Sequence, residues 1–233
     1  RGVRAAVTVV CASLLIGLLA PAAAASIPSD VPADTHQVNG RVRSVAVVGD
    51  RVWMGGVFTE VQTGKNVKVE DVTNLAALHR QTGAPVAATP LALGGISGAQ
   101  VWKLAAYGTT VYAAGKFKVT SGGSTYSNLL AFDAVTGALI PGFRPTGVRV
   151  STAVAVTDGV VFAGGSKLVA VDAPPGASLA GLSTPTIATD KSLRGHNTPP
   201  QHRDLQLIDG WLYSACQCDS LTQAGTTVEV KSL

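Results

Sequence analysis

The fold of this chain is indicated by a segment that first occurs at residues 47–56, with the sequence VVGDRVWMGG. It combines an apolar run, a turn of Gly, Asp or Thr, an aliphatic residue, an aromatic residue and two small residues. Similar segments follow at residues 106–115 (AYGTTVYAAG), 156–165 (VTDGVVFAGG) and 207–216 (LIDGWLYSAC). Because an apolar run that returns through a tight turn is typical of a β-hairpin, we expect four hairpins.

The aromatic residue of each copy is expected to occupy one equivalent position between neighbouring units, where it buries the most apolar area. These residues are Trp53, Tyr112, Phe162 and Tyr213. The small residues that follow allow neighbouring backbones to approach closely.

A second motif alternates with the first. It occurs as NLAALHRQTGA at residues 74–84 and NLLAFDAVTGA at 128–138, with a weaker copy, LVAVDAPPGA, at 168–177. Four short strands in about 50 residues are typical of one propeller blade. We therefore predict an all-β propeller of four-stranded antiparallel blades, with a β-sandwich as the alternative. The predicted blades are residues 38–95, 96–146, 147–193 and 194–233.

The two motifs together resemble secreted bacterial β-propellers of an actinobacterial type with delta-60-like repeats, whose blades have the form VYVGGxF…LAALDAxTGA. The matching stretches are residues 52–58 (VWMGGVF) and 129–138 (LLAFDAVTGA). The resemblance implies a fold over about residues 38–233 and leaves the activity open, because propellers host many functions.

The N-terminal segment has the order of a secretory signal peptide. Arg1 and Arg4 precede an apolar run that ends in small residues, with Ala-x-Ala at 23–25. The apolar run is short for a membrane anchor, which needs about 20 residues. We expect a signal peptide at 1–25, a linker at 26–37 and a secreted protein that starts near Ser26 and has no membrane contact.

The fourth repeat lacks a counterpart of residues 74–84. We therefore expect an incomplete propeller whose blades form an open arc, and a chain that is the N-terminal fragment of a longer protein. An unfinished blade exposes a strand edge, which soluble proteins avoid.

The sequence contains no catalytic motif that we recognise, and we expect no cofactor. There is no G-x-S-x-G segment, and the 14 acidic residues are scattered. Residues 131–138 (AFDAVTGA) also resemble blades of quinoprotein-like, quinone-dependent dehydrogenases, although we find neither an adjacent cysteine pair nor a carboxylate cluster for Ca²⁺. A glycoside hydrolase or a quinone-dependent oxidoreductase is the alternative function.

The most polar segment is residues 194–204, which we expect to form a loop between blades. Its candidate ligand-binding residues are His196, Asn197, His202, Arg203 and Asp204. His196, His202 and Asp204 are also weak candidates for a metal site, since histidine and carboxylate are common ligands. A polar loop without metal is the interpretation that we favour.

Cys216 and Cys218 are the two cysteines that follow the predicted signal peptide, and export implies an oxidising compartment. Two positions apart on a strand, their Cα atoms are about 6.6 Å apart, at the upper edge of disulfide geometry. A local disulfide is favoured, while a partner outside the chain, a metal and free thiols remain open.

These observations favour an exported, non-enzymatic module that binds or scaffolds an extracellular carbohydrate or protein, with a glycan or surface polymer as the expected ligand. A structural spacer without ligand is a further alternative. Since no cluster of Lys and Arg follows the N-terminus, we expect no nucleic-acid partner.

Overall fold

The structure is a computed structural model that describes residues 35–86, 91–174, 176, 184, 186–188 and 200–229. These residues form strands, turns and loops, and among them there is no helix of the length and apolarity that a membrane crossing requires. The all-β prediction is confirmed. In chain order the strands are β1 (Gln37–Val38), β2 (Arg41–Val48), β3 (Arg51–Val57), β4 (Glu60–Gln62), β5 (Lys68–Asp71), β6 (Leu75–His79), β7 (Gln100–Tyr107), β8 (Thr110–Ser121), β9 (Ser124–Asp133), β10 (Ser151–Thr157), β11 (Val160–Gly165), β12 (Leu168–Asp172), β13 (Thr186–Ala188), β14 (Gln201–Ile208), β15 (Trp211–Gln217), β16 (Ser220–Gln223) and β17 (Thr226–Glu229).

Each repeat forms its own small antiparallel sheet. The first three sheets have the strand orders β2-β3-β6, β7-β8-β9 and β10-β11-β12, and the fourth is the hairpin β14-β15. Two further sheets have the strand orders β1-β4-β5 and β13-β16-β17. In each of them, one short strand that precedes a hairpin pairs with two short strands that follow it. The two sequence motifs therefore correspond to a hairpin and to the third strand that pairs with it.

The fourth strand expected in each unit is reduced to a single bridge in the first two sheets. Leu78 pairs with Pro85, and Phe132 pairs with Leu139. Gln37, which we expected in the linker, belongs to β1 and pairs with Gln62.

The repeated aromatic residues occupy one equivalent position in the strand register, opposite Ala46, Ala105, Ala155 and Gln206 of their own hairpins. Their burial differs. Trp53 is 1% and Tyr112 2% exposed, Phe162 is half-buried and Tyr213 is 54% exposed. The aromatic residue therefore has the same place in the strand register in all four repeats, whereas the burial of its ring depends on the neighbouring sheet that covers it.

Successive sheets pack through their first strands, β2 against β7, β7 against β10 and β10 against β14. Trp53 joins the first sheet to the second, because its ring lies 4.6 Å from that of Phe132 and its Nε1 donates a hydrogen bond to the Ala134 carbonyl at 3.2 Å. Tyr112 likewise packs 5.3 Å from Phe143, in the connection to the third sheet. The core thus lies between sheets.

The asparagine that opens the second motif links each sheet to the next connection. Asn74 and Asn128 both have positive φ, a conformation that asparagine tolerates better than most residues. Asn74 Nδ2 donates to the carbonyls of Leu93 at 2.8 Å and Ala99 at 3.2 Å, and Asn128 Nδ2 donates to that of Val148 at 3.3 Å. These contacts hold the chain that leads into the following sheet.

Candidate functional site

The first strand of every repeat contains a β-bulge at the same place. The extra residues are Arg43, Trp102, Thr152 and Arg203, each left without a partner where the pairing register shifts. A bulge bends its strand and re-aims a side chain, and bulges are common beside functional sites. Four repeats thus redirect one residue each.

A simple count would have found these residues. Each is the tenth residue before the aligned aromatic residue of its repeat. Two of the four residues are arginines and the others are tryptophan and threonine, so no shared residue type marks this position, and sequence reasoning missed Arg43, Trp102 and Thr152.

The second small residue of the motif accommodates the bulge. A Cβ at Gly56 would collide with the carbonyl oxygen of Arg41 in β2, and a Cβ at Gly165 would collide with that of Val150, the residue before β10. The fourth repeat has Cys216 at this place, and it pairs with His202. The two small residues of the motif therefore leave room for the bulge as well as for the packing between sheets.

The bulges in the four repeat sheets border one pocket of about 460 Å³. This volume is in the range of small-molecule sites, about 300–1,000 Å³. We call it the bulge pocket, and its lining residues are Arg41, Val42, Arg43, Trp102, Lys103, Thr152, Arg203 and Asp204.

Two contacts within the bulge pocket join different sheets. Lys103 Nζ lies 2.7 Å from Asp204 Oδ1, so an ion pair connects the second sheet to the fourth. The Arg43 guanidinium lies over the Trp102 ring, with Cζ 3.9 Å from its centroid, which is within cation–π range. The ion pair thus brings residues from two non-successive sheets to the same pocket.

The electrostatics of the bulge pocket are one-sided. Arg41, Arg43, Lys103 and Arg203 line it as cations, while Asp204 is the single carboxylate of the lining. Burial, followed by the positive charge of Arg41, lowers the pKa of Arg43.

Asp204 behaves as a charge partner. Partial burial acts to raise its pKa, but hydrogen bonds from Lys103 and Gln206 and the positive charge of Lys103 bring that pKa below the usual value of aspartate. A carboxyl group held ionised in this way is a poor proton donor near neutral pH.

Two donors of the bulge pocket are buried and have no hydrogen-bond partner within the described part of the chain. They are Nε of Arg43 and Nε1 of Trp102. Buried polar groups are nearly always paired in folded proteins, so two unpaired donors on residues that line one pocket are unusual and mark the pocket as a candidate binding site.

The structure places the predicted ligand residues differently: two lie outside the described residues, two line the bulge pocket, and His202 packs between sheets. His196 and Asn197 lie outside the described residues. We expected a loop at residues 194–204, and this prediction is wrong for residues 201–204, which form the start of strand β14. Of these, Arg203 and Asp204 line the bulge pocket, and Arg203 Nη2 donates to Gln217 Oε1 at 2.5 Å.

His202 is fully buried and lies away from the pocket lining. Its Nδ1 is 2.6 Å from Ser214 Oγ, its carbonyl accepts a hydrogen bond from the Thr152 hydroxyl, and its Cβ packs against Gly164. Burial lowers its pKa. These contacts give His202 a packing role between the third and fourth sheets.

No group of three or more His, Cys, Asp or Glu side chains converges within the described ranges in a way that could hold a metal ion. Cys216 and Cys218 form a disulfide in the structure, with their Cα atoms 5.4 Å apart. This separation is shorter than that of a regular strand, because Gln217 is the last residue of β15 and Cys218 lies beyond it.

Comparison with known proteins adds two structural likenesses. No family model and no curated protein matches the chain. The crystal structure of the computationally designed Ika4 protein is similar at 15% identity and TM-score 0.48, over 82% of this chain and 93% of that protein. That of the designed Ika8 protein has 16% identity and TM-score 0.37, over 80% and 69%. Neither score is high enough to assign a fold, so the architecture rests on the strand pairing described above.

Proposed function

We propose that this chain is an exported bacterial β-propeller with delta-60-like blades that binds an extracellular ligand without chemically changing it. The observation that carries the proposal is the bulge pocket, to which four repeats each contribute the same position. An equivalent position around a common axis is what propeller geometry provides, and propellers present such positions as binding sites.

The propeller interpretation is further supported by the contacts between sheets. First strands that pack side by side are the innermost strands of a propeller. An ion pair between Lys103 of the second sheet and Asp204 of the fourth spans the third sheet, as an arrangement about one axis requires.

Binding is favoured over catalysis by the chemistry of the lining. A glycoside hydrolase uses two carboxyl groups that flank the scissile bond. The described lining offers Asp204 alone, and Lys103 holds it ionised.

A quinone-dependent oxidoreductase is favoured by one observation, the stacked pair of Arg43 and Trp102, since such sites need cationic and stacking groups. It also needs several oxygen ligands for Ca²⁺. One ion-paired carboxylate does not meet that requirement, so the described residues do not fit the group.

An array of extracellular glycans and cell-wall polymers, probed with the secreted protein, tests the binding function. We expect retention of at least one polymer, loss of that retention in Trp102→Ala, and no change in Arg80→Gln, which alters an arginine at another surface pocket. Binding that survives Trp102→Ala would contradict the assignment to the bulge pocket. Failure to retain any polymer would contradict the binding function.

Export is tested by N-terminal sequencing of the protein recovered from the culture medium. We expect it to begin near Ser26. A membrane-bound product that retains residues 1–20 would exclude the secretory interpretation.

A further inference from the structure

We propose that the ligand of the bulge pocket is an acidic sugar unit, whose anionic group binds beside Arg43 and Trp102. This inference rests on the proposed binding function of the same pocket. It adds the chemical class of the ligand and the two residues that recognise its charge.

The bulge pocket is rich in hydrogen-bond donors and poor in acceptors. Arg41, Arg43, Lys103 and Arg203 present N–H donors to the pocket. The lining also has two neutral polar side chains: the Trp102 indole is a further N–H donor, and the Thr152 hydroxyl already donates to the His202 carbonyl. A ligand that complements these residues must therefore bring acceptor oxygens.

The bulge pocket also has an excess of positive charge. Four cationic side chains share the lining with one carboxylate, and Lys103 already neutralises that carboxylate. Among the remaining cations, the exposed Arg41 repels the half-buried Arg43, and an anion bound beside them relieves this repulsion. A cationic ligand is excluded on the same ground, and a neutral sugar would leave the repulsion in place.

Arg43 is held at the wall of the bulge pocket by its contact with Trp102. Its guanidinium carbon Cζ lies 3.9 Å from the centroid of the Trp102 ring. A planar fork of donors matches the two oxygens of a carboxylate or the oxygens of a sulfate. The unpaired Nε of Arg43 and Nε1 of Trp102 belong to this stacked pair.

The size of the bulge pocket favours a sugar over a small ion. A pocket of about 460 Å³ is much larger than an isolated inorganic anion needs. A sugar ring that carries the anionic group fills more of this volume and contacts residues from several sheets. An acidic sugar therefore uses the charge and the volume together, whereas a free sulfate uses the charge alone.

The test is titration of the ¹⁵N-labelled protein with three compounds, glucuronate, glucose and inorganic sulfate. The chain has three tryptophans, so its indole N–H groups give three resolvable signals. We expect glucuronate to shift the Trp102 signal and to bind at least about tenfold more tightly than glucose, as hydrogen bonds to a charged group allow. The Trp53 indole, which is bonded to the Ala134 carbonyl, serves as an internal control and should not move.

Two variants locate the anion. Arg43→Gln removes the charge and Trp102→Phe keeps a ring while removing the N–H, and each should weaken glucuronate binding by about tenfold or more. Arg80→Gln is the matched control and should leave it unchanged. Glucuronate affinity should also fall as salt is raised. An unchanged position of the Trp53 signal in each variant shows that the fold is intact.

The outcomes separate this inference from the proposed function. Equal affinity for glucose and glucuronate, without salt dependence, overturns the acidic ligand and leaves the binding function standing. Sulfate that binds as tightly as glucuronate shows that the pocket recognises an isolated anion, which overturns the sugar. If no compound shifts the Trp102 signal at millimolar concentration, the inference fails, and the polymer array then decides the binding function by itself.

Discussion

The second sheet and the fourth hairpin have the same motif in the same register, yet they differ in what the motif stabilises. Tyr112 is 2% exposed and lies edge to face with Phe143, whereas Tyr213 at the equivalent place is 54% exposed. The backbone pairing is alike, Ala105 with Tyr112 and Gln206 with Tyr213. The comparison shows that the motif specifies the hairpin, while the energy of its aromatic residue comes from the neighbouring sheet.

The largest effect that tests this comparison is expected from Tyr112→Ala. It removes a buried ring from the cluster between the second and third sheets and should lower the free energy of unfolding by about 3–5 kcal/mol. Denaturant unfolding followed by circular dichroism measures it. Half-buried Phe162, replaced by alanine, should cost less. An effect of Phe162→Ala equal to that of Tyr112→Ala would show that the motif position, and not the neighbour, sets the energy.

A second comparison concerns the asparagines that open the second motif. Asn74→Ala removes two donated hydrogen bonds and one accepted from the Phe58 N–H, so we expect a loss of about 2–3 kcal/mol. Asn128→Ala removes one donated hydrogen bond and should cost about 1 kcal/mol for that bond. The same unfolding measurement applies. Replacement of either asparagine by glycine keeps the positive φ accessible, so the difference between glycine and alanine separates backbone strain from lost hydrogen bonds.

The third expected effect is a loss of folding stability at acidic pH that is caused by His202. Burial lowers the pKa of His202, so the folded protein keeps this ring neutral while the unfolded chain takes up a proton below about pH 6.5. The stability it contributes is therefore fully present above the unfolded pKa and is lost as the pH falls. The groups that face His202 are neutral, namely Ser214, Thr152 and Gly164.

The measurement is the free energy of unfolding between about pH 5.5 and 7.5, where aspartate and glutamate remain ionised in the unfolded chain. We expect stability to decrease toward the acidic end, and the decrease to disappear in His202→Asn, in which the amide can still bond to Ser214. A slope that persists in the variant would assign the pH dependence to another group.

Much of this fold could be predicted from the sequence, because its information is local. A turn such as Gly49 or Gly159, with positive φ, between two apolar runs specifies a hairpin wherever it occurs. The Gly pairs predicted a close approach of backbones, and Gly56 and Gly165 make that approach at the bulges. The interleaved order of the two motifs then assigned the third strand of each sheet.

The site could not be predicted in the same way. Arg43, Trp102 and Thr152 come together because four bulges occur at one place in the repeat, and a bulge has no composition of its own. Arg203 and Asp204 were selected for polarity, and the structure places them on a strand beside the pocket. His202 was selected with them, but it packs between sheets, since a polar residue next to a bulge can face either side. Counting back from the aligned aromatics is the signal that relates these positions.

The smallest effect is expected from Tyr213→Ala, and it tests the opening comparison most directly. The ring is more than half exposed, so its removal loses little buried apolar surface. The free energy of unfolding should therefore change by no more than about 0.5 kcal/mol. Tyr213→Thr is the companion variant, because threonine keeps strand propensity while removing the ring. A loss near that of Tyr112→Ala would mean that Tyr213 is covered in solution. If instead Tyr213→Ala is neutral while Tyr112→Ala is severe, one motif at one register position stabilises the chain only where another sheet packs against it.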